Sequence, residues 1–178
     1  MEEHTPHLIG GDSVSDEAKI ELTDSTGRLG RVVSEWLVDH VALALRHLHA
    51  PGTVRINVVL DPEMASMHEE FTGVAGTTDV LTFDLREEPQ GPLDTDIIVC
   101  LDEAARQAAA REHKPEHELL LYVVHGVLHC LGHDDHDDAD FKAMHDAEDA
   151  VLRAIGVGAL FSREPSSGAM GSARERPS

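Results

Sequence analysis

The residues best able to do chemistry fall in one stretch, His125-Gly126-Val127-Leu128-His129-Cys130-Leu131-Gly132-His133-Asp134-Asp135-His136. His125 and His129 are four apart, and on an α-helix such residues stand one turn above each other on the same face. Two imidazoles so placed reach a single ion, and imidazole is the commonest metal-ligating side chain. Gly132 is suited to end the helix and turn the chain back, which brings a donor just beyond it to the same point. Three protein ligands and an open fourth position make the pattern of a catalytic zinc centre. A zinc ion there polarises a substrate oxygen and lowers the pKa of water toward about 7. His136 and Asp135 are the two candidates for the third ligand. Imidazole is the softer match to Zn²⁺, and carboxylate also serves. His133 follows the helix end too closely, and Cys130 points about 100° round the helix from His129, so neither is expected to bind. Left unbound, two neutral imidazoles in so apolar a segment would carry an uncompensated desolvation cost.

Position 126 separates two enzyme classes. Metalloproteases of the H-E-x-x-H type place Glu directly after the first His as general base; here it is Gly126, which instead leaves room for a phosphodiester beside the ion. Asp79 and Asp134 are candidates to orient a ligand His, and each is equally suited to capping its own turn. Glu118, seven residues before His125, lies roughly 10 Å back along the helix; it lines the cleft but is not a ligand. The Asp-rich run 134–140 lacks the Gly and terminal Glu of an EF-hand loop, and Asp137 and Asp138 are expected to cap the last helix.

The elements that must position these groups follow from periodicity. Residues 18–23 read as a short strand. From Thr26, the spacing of Leu29, Val32, Val33, Trp36, Leu37, Val41, Leu45 and Leu48 predicts an amphipathic helix ending near Ala50-Pro51-Gly52. The β-branched run 54–60 is a strand, and Asp61-Pro62, an N-cap followed by Pro at the first helical position, opens a helix through about Phe71. Residues 79–85 alternate as a strand, 86–95 read as a loop, and 96–101 as a central strand. Helices are predicted over 102–111, over 115–131 (the most apolar) and over 138–155, the last with Phe141, Met144, Val151 and Ile155 inward. Strands mixed with about five helices make a layered α+β or α/β structure.

Composition bounds the rest. The 178 residues suggest one domain, 17–160, between a flexible arm, 1–16, and a Gly/Ser/Pro-rich, disordered tail, 161–178. The 14 Lys+Arg against 34 Asp+Glu give a net charge of −20, which excludes the commonest nucleic-acid signature, a basic domain. Contact with phosphates then needs local cations, for which Arg28, Arg31, Arg46 and Arg55 are candidates. Of 13 His, seven fall between His113 and His145, around the metal motif. The opening MEEHTPHLIGG reads as no secretory signal, and the longest apolar run is too short to cross a bilayer. Cys100 and Cys130 do not make a disulfide framework. A cytoplasmic location without membrane association is expected.

The motif H-G-x-L-H-x-x-G-x-D at 125–134 resembles the signature of the YbeY family, endoribonucleases also called ribosomal RNA maturation factors. Thr77-Thr78-Asp79-Val80-Leu81-Thr82-Phe83 looks like the family's TDVLSF strand, and Asp96-Ile97-Ile98-Val99-Cys100 like its GDIVI(C) strand. Met67-His68 and Phe71 occupy the place of its L-N-x-x-[YF]-R segment. The match runs in register over 54–155. The resemblance implies an α+β fold with a small mixed sheet of about four strands packed with about five helices. It implies one Zn²⁺ bound by three His at the end of the central apolar helix, and an activity as a single-strand-specific endoribonuclease. That activity serves maturation of the 3′ end of small-subunit rRNA and ribosome quality control, with rRNA and the small ribosomal subunit as partners and no DNA. Two positions depart from the pattern. The family's third His falls at +10 from the first, where this chain has Asp135, with His136 at +11. Its Arg after the aromatic aligns with Thr72. A non-catalytic, zinc-containing ribosome-assembly factor is the alternative reading, and a zinc metalloprotease a remote one.

Overall fold

A computed structural model of the chain describes residues 18–160. The arm and tail expected at 1–16 and 161–178 lie outside the described residues. In chain order the elements are β1 (Lys19–Asp24), α1 (Arg31–His47), β2 (Gly52–Val59), α2 (Asp61–Thr72), β3 (Val80–Asp84), β4 (Leu93–Cys100), α3 (Leu101–Arg111), α4 (Pro115–Cys130) and α5 (Asp138–Ala154). The four strands form one mixed sheet in the order β1-β2-β4-β3. β1, β2 and β4 are parallel, and β3 runs antiparallel to β4 along one edge. This is the expected α+β architecture of four strands and five helices.

Alternation within the strands sorts the two faces. Val54, Ile56 and Val58 of β2 and Ile97 and Val99 of β4 turn to one face, where they pack with Leu37, Val41 and Leu45 of α1 and with the whole apolar length of α4. On the other face Val59, Met64, Ile98 and Cys100 form a smaller cluster under α2. Beyond α2 that second face carries an open cavity of about 500 Å³ with Phe71, Phe83 and Arg55 on its walls. The α4 helix is buried from Glu118 through Val124, and α5 lays Met144, Val151 and Leu152 against it. Phe141, expected inward, is instead 53% exposed, its ring lying edge-on to His145 with centroids 4.1 Å apart.

Three boundaries differ from the sequence expectation, each because a side chain supplies what the helix or loop pattern did not show. The α1 helix begins at Arg31 rather than Thr26, because Asp24 accepts from the Thr26 and Leu29 amides at 3.0 Å and holds 26–29 as a turn. Strand β4 begins at Leu93, inside the expected loop. Leu93 and Thr95 face the core, while Asp94 and Asp96, which made the segment look polar, clasp Arg55 on the opposite face. Asp61 does not cap α2: its own amide is capped by Asp102 at 3.0 Å, and its carboxylate pairs with Arg106. Asp137 caps α5 as expected, accepting from the Ala139 and Asp140 amides at 2.9 and 2.8 Å.

Candidate metal centre

The α4 helix lies across β3 and β4, and Gly126 permits the close approach. A Cβ there would fall 2.5 Å from Thr82 Oγ1 and 3.2 Å from Ile97 Cδ1. Gly126 therefore faces the sheet, and the expectation that it clears space for a substrate is corrected: its missing side chain makes room for β3 and β4. With that face fixed, His125 and His129 project on the flank toward α5 and the segment after the helix. The helix ends in a tight turn in which His133 N–H reaches Leu128 O at 3.0 Å, with Gly132 at φ 95°. Arg86 secures this end. Its side chain is 8% exposed, and it donates to the Cys130 carbonyl, to Asp84 and to the Pro89 carbonyl.

Each of the two imidazole rings is oriented through its inner nitrogen. His125 Nδ1 donates to Glu148 Oε1 at 2.7 Å, and His129 Nδ1 donates to the His133 carbonyl at 3.1 Å. Both oxygens can only accept, so both protons sit on Nδ1, and the two Nε2 atoms turn bare lone pairs toward each other 2.9 Å apart. A proton shared by the two rings, or one cation bound by both beside that line, relieves the juxtaposition. Asp135 Oδ2 completes the group, 3.9 Å from His125 Nε2 and 3.7 Å from His129 Nε2. Ligand atoms of His125, His129 and Asp135 lie within 4.8 Å of one another, and two imidazoles with a carboxylate suit zinc.

His136 stands outside this trio. It is 84% exposed and pairs with Asp134 at 2.9 Å, its Nδ1 being 3.7 Å from Asp135 Oδ1. Asp134 accepts from the Asp135 amide and so shapes the turn. Asp79 spends its carboxylate on the Val80 amide and the Thr78 hydroxyl, while lining the same cavity as His125. Glu118 is fully buried, taking Arg111 Nη1 at 3.0 Å and His113 Nε2 at 2.7 Å.

The residue that sequence reasoning missed is Glu148. It is 1% exposed and bridges His125 and His145, the latter at 2.6 Å. The available signal was an ionisable residue within the buried stripe Met144, Glu148, Val151, Leu152 of α5. Burial works against protonation of His125, but the hydrogen bond and charge of Glu148 outweigh it and raise its pKa above the ordinary 6.5. Tyr122, also on the cavity wall, is held neutral by burial and by the Glu118 charge, which push its phenol up. The cavity, about 270 Å³, lies between α3, α4 and α5. Of the cations anticipated for phosphate contact, Arg31 pairs with Glu35 and Arg55 with Asp94 and Asp96. Thr72 ends α2 with its hydroxyl on the His68 carbonyl.

Comparison with known proteins gives one answer. A family model described as Endoribonuclease YbeY matches residues 14–156. An Endoribonuclease YbeY of Cutibacterium acnes is 32% identical over 145 residues, covering 76% of this chain and 92% of its own. One of Micrococcus luteus is 34% identical over 116 residues, covering 61% and 74%. A Thermotoga maritima protein solved in solution superposes with a TM-score of 0.56 at 26% identity, covering 78% of this chain and 88% of that one. Among the described residues no helix is long and apolar enough to cross a membrane.

Proposed function

Because this chain belongs to the Endoribonuclease YbeY family, we propose that it is a zinc-dependent endoribonuclease that cuts single-stranded RNA. Its substrate in this reading is ribosomal RNA, at the 3′ end of the small-subunit species and on defective ribosomes. Its place is the cytoplasm, where free thiols such as Cys100 and Cys130 persist. The observation that carries the reading is the convergence of ligand atoms from His125, His129 and Asp135 within 4.8 Å of one another, with both Nδ1 atoms already engaged elsewhere.

One zinc ion is held by His125, His129 and a third donor from the turn after Gly132. Asp135 stands nearest in this structure, and His136 is the competing ligand one residue on. A zinc ion so held supplies Lewis acidity, polarising a phosphoryl oxygen and making water acidic enough to attack near neutral pH. Glu148 and the His133 carbonyl keep the two rings in the tautomer that presents Nε2. Tyr122, kept protonated, offers a hydroxyl donor on the same wall.

The test is cleavage of a single-stranded RNA by purified protein with and without chelator, beside metal analysis. His125→Ala is expected to lose both zinc and cleavage while keeping its circular dichroism spectrum. Asp135→Asn and His136→Ala are compared for zinc content, and the variant that loses the ion names the third ligand. A folded, zinc-loaded protein that leaves RNA intact would replace this reading with that of a non-catalytic assembly factor.

A further inference from the structure

The cavity beside the metal centre is about 270 Å³ in volume, and four carboxylates line it, those of Asp79, Glu103, Asp135 and Glu148. On a chain of net charge −20 these groups repel the phosphates of a nucleic acid. Nucleobases are uncharged, and an aromatic ring that stacks on one holds the strand without a cation. Aromatic residues are scarce here, with four Phe, one Tyr and one Trp in the whole sequence, yet Tyr122 and Phe141 both line this cavity. Tyr122 is buried, whereas Phe141 is 53% exposed. We propose that Phe141 is a stacking platform for one nucleobase of the RNA next to the cut, and that this contact selects unpaired over paired strands. The proposal rests on the endoribonuclease reading and adds to it the residue that recognises a single strand.

The placement follows from α5. Phe141 lies three residues before Met144 and seven before Glu148, so it continues the buried stripe of that helix by spacing. From Met144 onward the stripe is covered, but in the first turn it borders the cavity and Phe141 stays open to water. A Phe that served only to pack α5 would be shielded as Met144 is. Successive contacts tie the ring to the metal ligands. Its centroid is 4.1 Å from that of His145, His145 Nδ1 is 2.6 Å from Glu148 Oε2, and Glu148 Oε1 is 2.7 Å from His125 Nδ1. Two side chains thus separate Phe141 from His125, and all four residues line one cavity. A strand whose phosphate reaches the His pair brings an adjoining base to the ring. His145 meets that ring at an interplanar angle of 87° and braces it. In a duplex the faces of a base are covered by its neighbours in the stack, so only an unpaired, splayed base reaches an aromatic side chain.

The experiment measures steady-state cleavage of single-stranded RNA oligonucleotides by the zinc-loaded full chain. A set of substrates carries one abasic site each, stepped across the nucleotides on both sides of the cut. In wild type, one abasic position is expected to raise KM about tenfold, the share of one stacked base. Phe141→Leu should raise KM by about the same factor on the intact strand, the loss falling on KM rather than kcat, and should lose nothing more at that abasic position. Phe141→Tyr keeps a ring and should restore most of the KM. The salt dependence of kcat/KM should match wild type, because stacking releases no counterion, and so should zinc affinity in chelator competition. Inhibition by an RNA duplex should be the same in wild type and Phe141→Leu. Equal abasic penalties in the two proteins, an unaltered KM in Phe141→Leu, or weaker inhibition of that variant by the duplex would overturn the proposal. A KM loss accompanied by weaker zinc binding would also overturn it and leave Phe141 as a prop for His145 and Glu148. Absence of cleavage by wild type would instead defeat the endoribonuclease reading itself, and this proposal with it.

Discussion

Gly126 shows how one missing methyl group decides where a helix lies. A Cβ at this position meets Thr82 Oγ1 at 2.5 Å and Ile97 Cδ1 at 3.2 Å. Gly126→Ala is expected to lift α4 from β3 and β4 and cost about 1–3 kcal/mol, read as a lower urea midpoint. Adding Thr82→Ala, which deletes the blocking oxygen, should recover part of the loss; an unchanged midpoint in the single variant would remove the packing account. Glu148 works in the opposite way, by what it adds. Glu148→Gln keeps the shape but weakens the acceptor for His125 Nδ1, and zinc affinity is expected to fall at least tenfold in chelator competition. Unaltered affinity would mean that Glu148 is only a buried partner of two imidazoles. The His pair was legible in the sequence because four-residue spacing fixes a shared face by helix geometry alone. Glu148 was not, because it follows His125 by 23 residues and meets it only through the packing of α5 on α4.

Elements were legible where their periodicity was undisturbed and obscure where side chains from elsewhere set the boundary. The α4 helix and the strands β2 and β3 carry their apolar pattern openly. The start of β4 was hidden because Asp94 and Asp96 alternate with Leu93 and Thr95, and a strand with one ion-paired face reads as a polar loop. The contact between α1 and α4 holds a feature with a pH signature. Trp36 stacks on His40 with centroids 4.0 Å apart and meets His117 at 5.5 Å. Burial pushes the His117 pKa below the ordinary 6.5. The folded state therefore favours the neutral ring. Its contribution is complete above pH 6.5 and is lost as pH falls below that value through the folded pKa. The melting temperature is expected to drop between pH 7 and pH 5, and to drop less in His117→Gln. Parallel declines in the two proteins would assign the pH effect to other groups.

At the scale of the whole molecule, a formal charge of −20 on 178 residues is a standing self-repulsion. Monovalent salt shortens the Debye length from about 10 Å at 0.1 M to about 3 Å at 1 M. The melting temperature should therefore rise with added sodium chloride; a fall would mean that ion pairs such as Arg106 with Asp61 outweigh the net repulsion. The two thiols give the molecule one more property. Cys100 and Cys130 sit inside separate packed regions, and burial holds both in the unreactive protonated form. An alkylating reagent meets them only when the surrounding structure opens. Each cysteine is thus a built-in timer, one beneath α2 and one at the far end of α4, and mass spectrometry of the labelled peptides would record which side of the sheet loosens first.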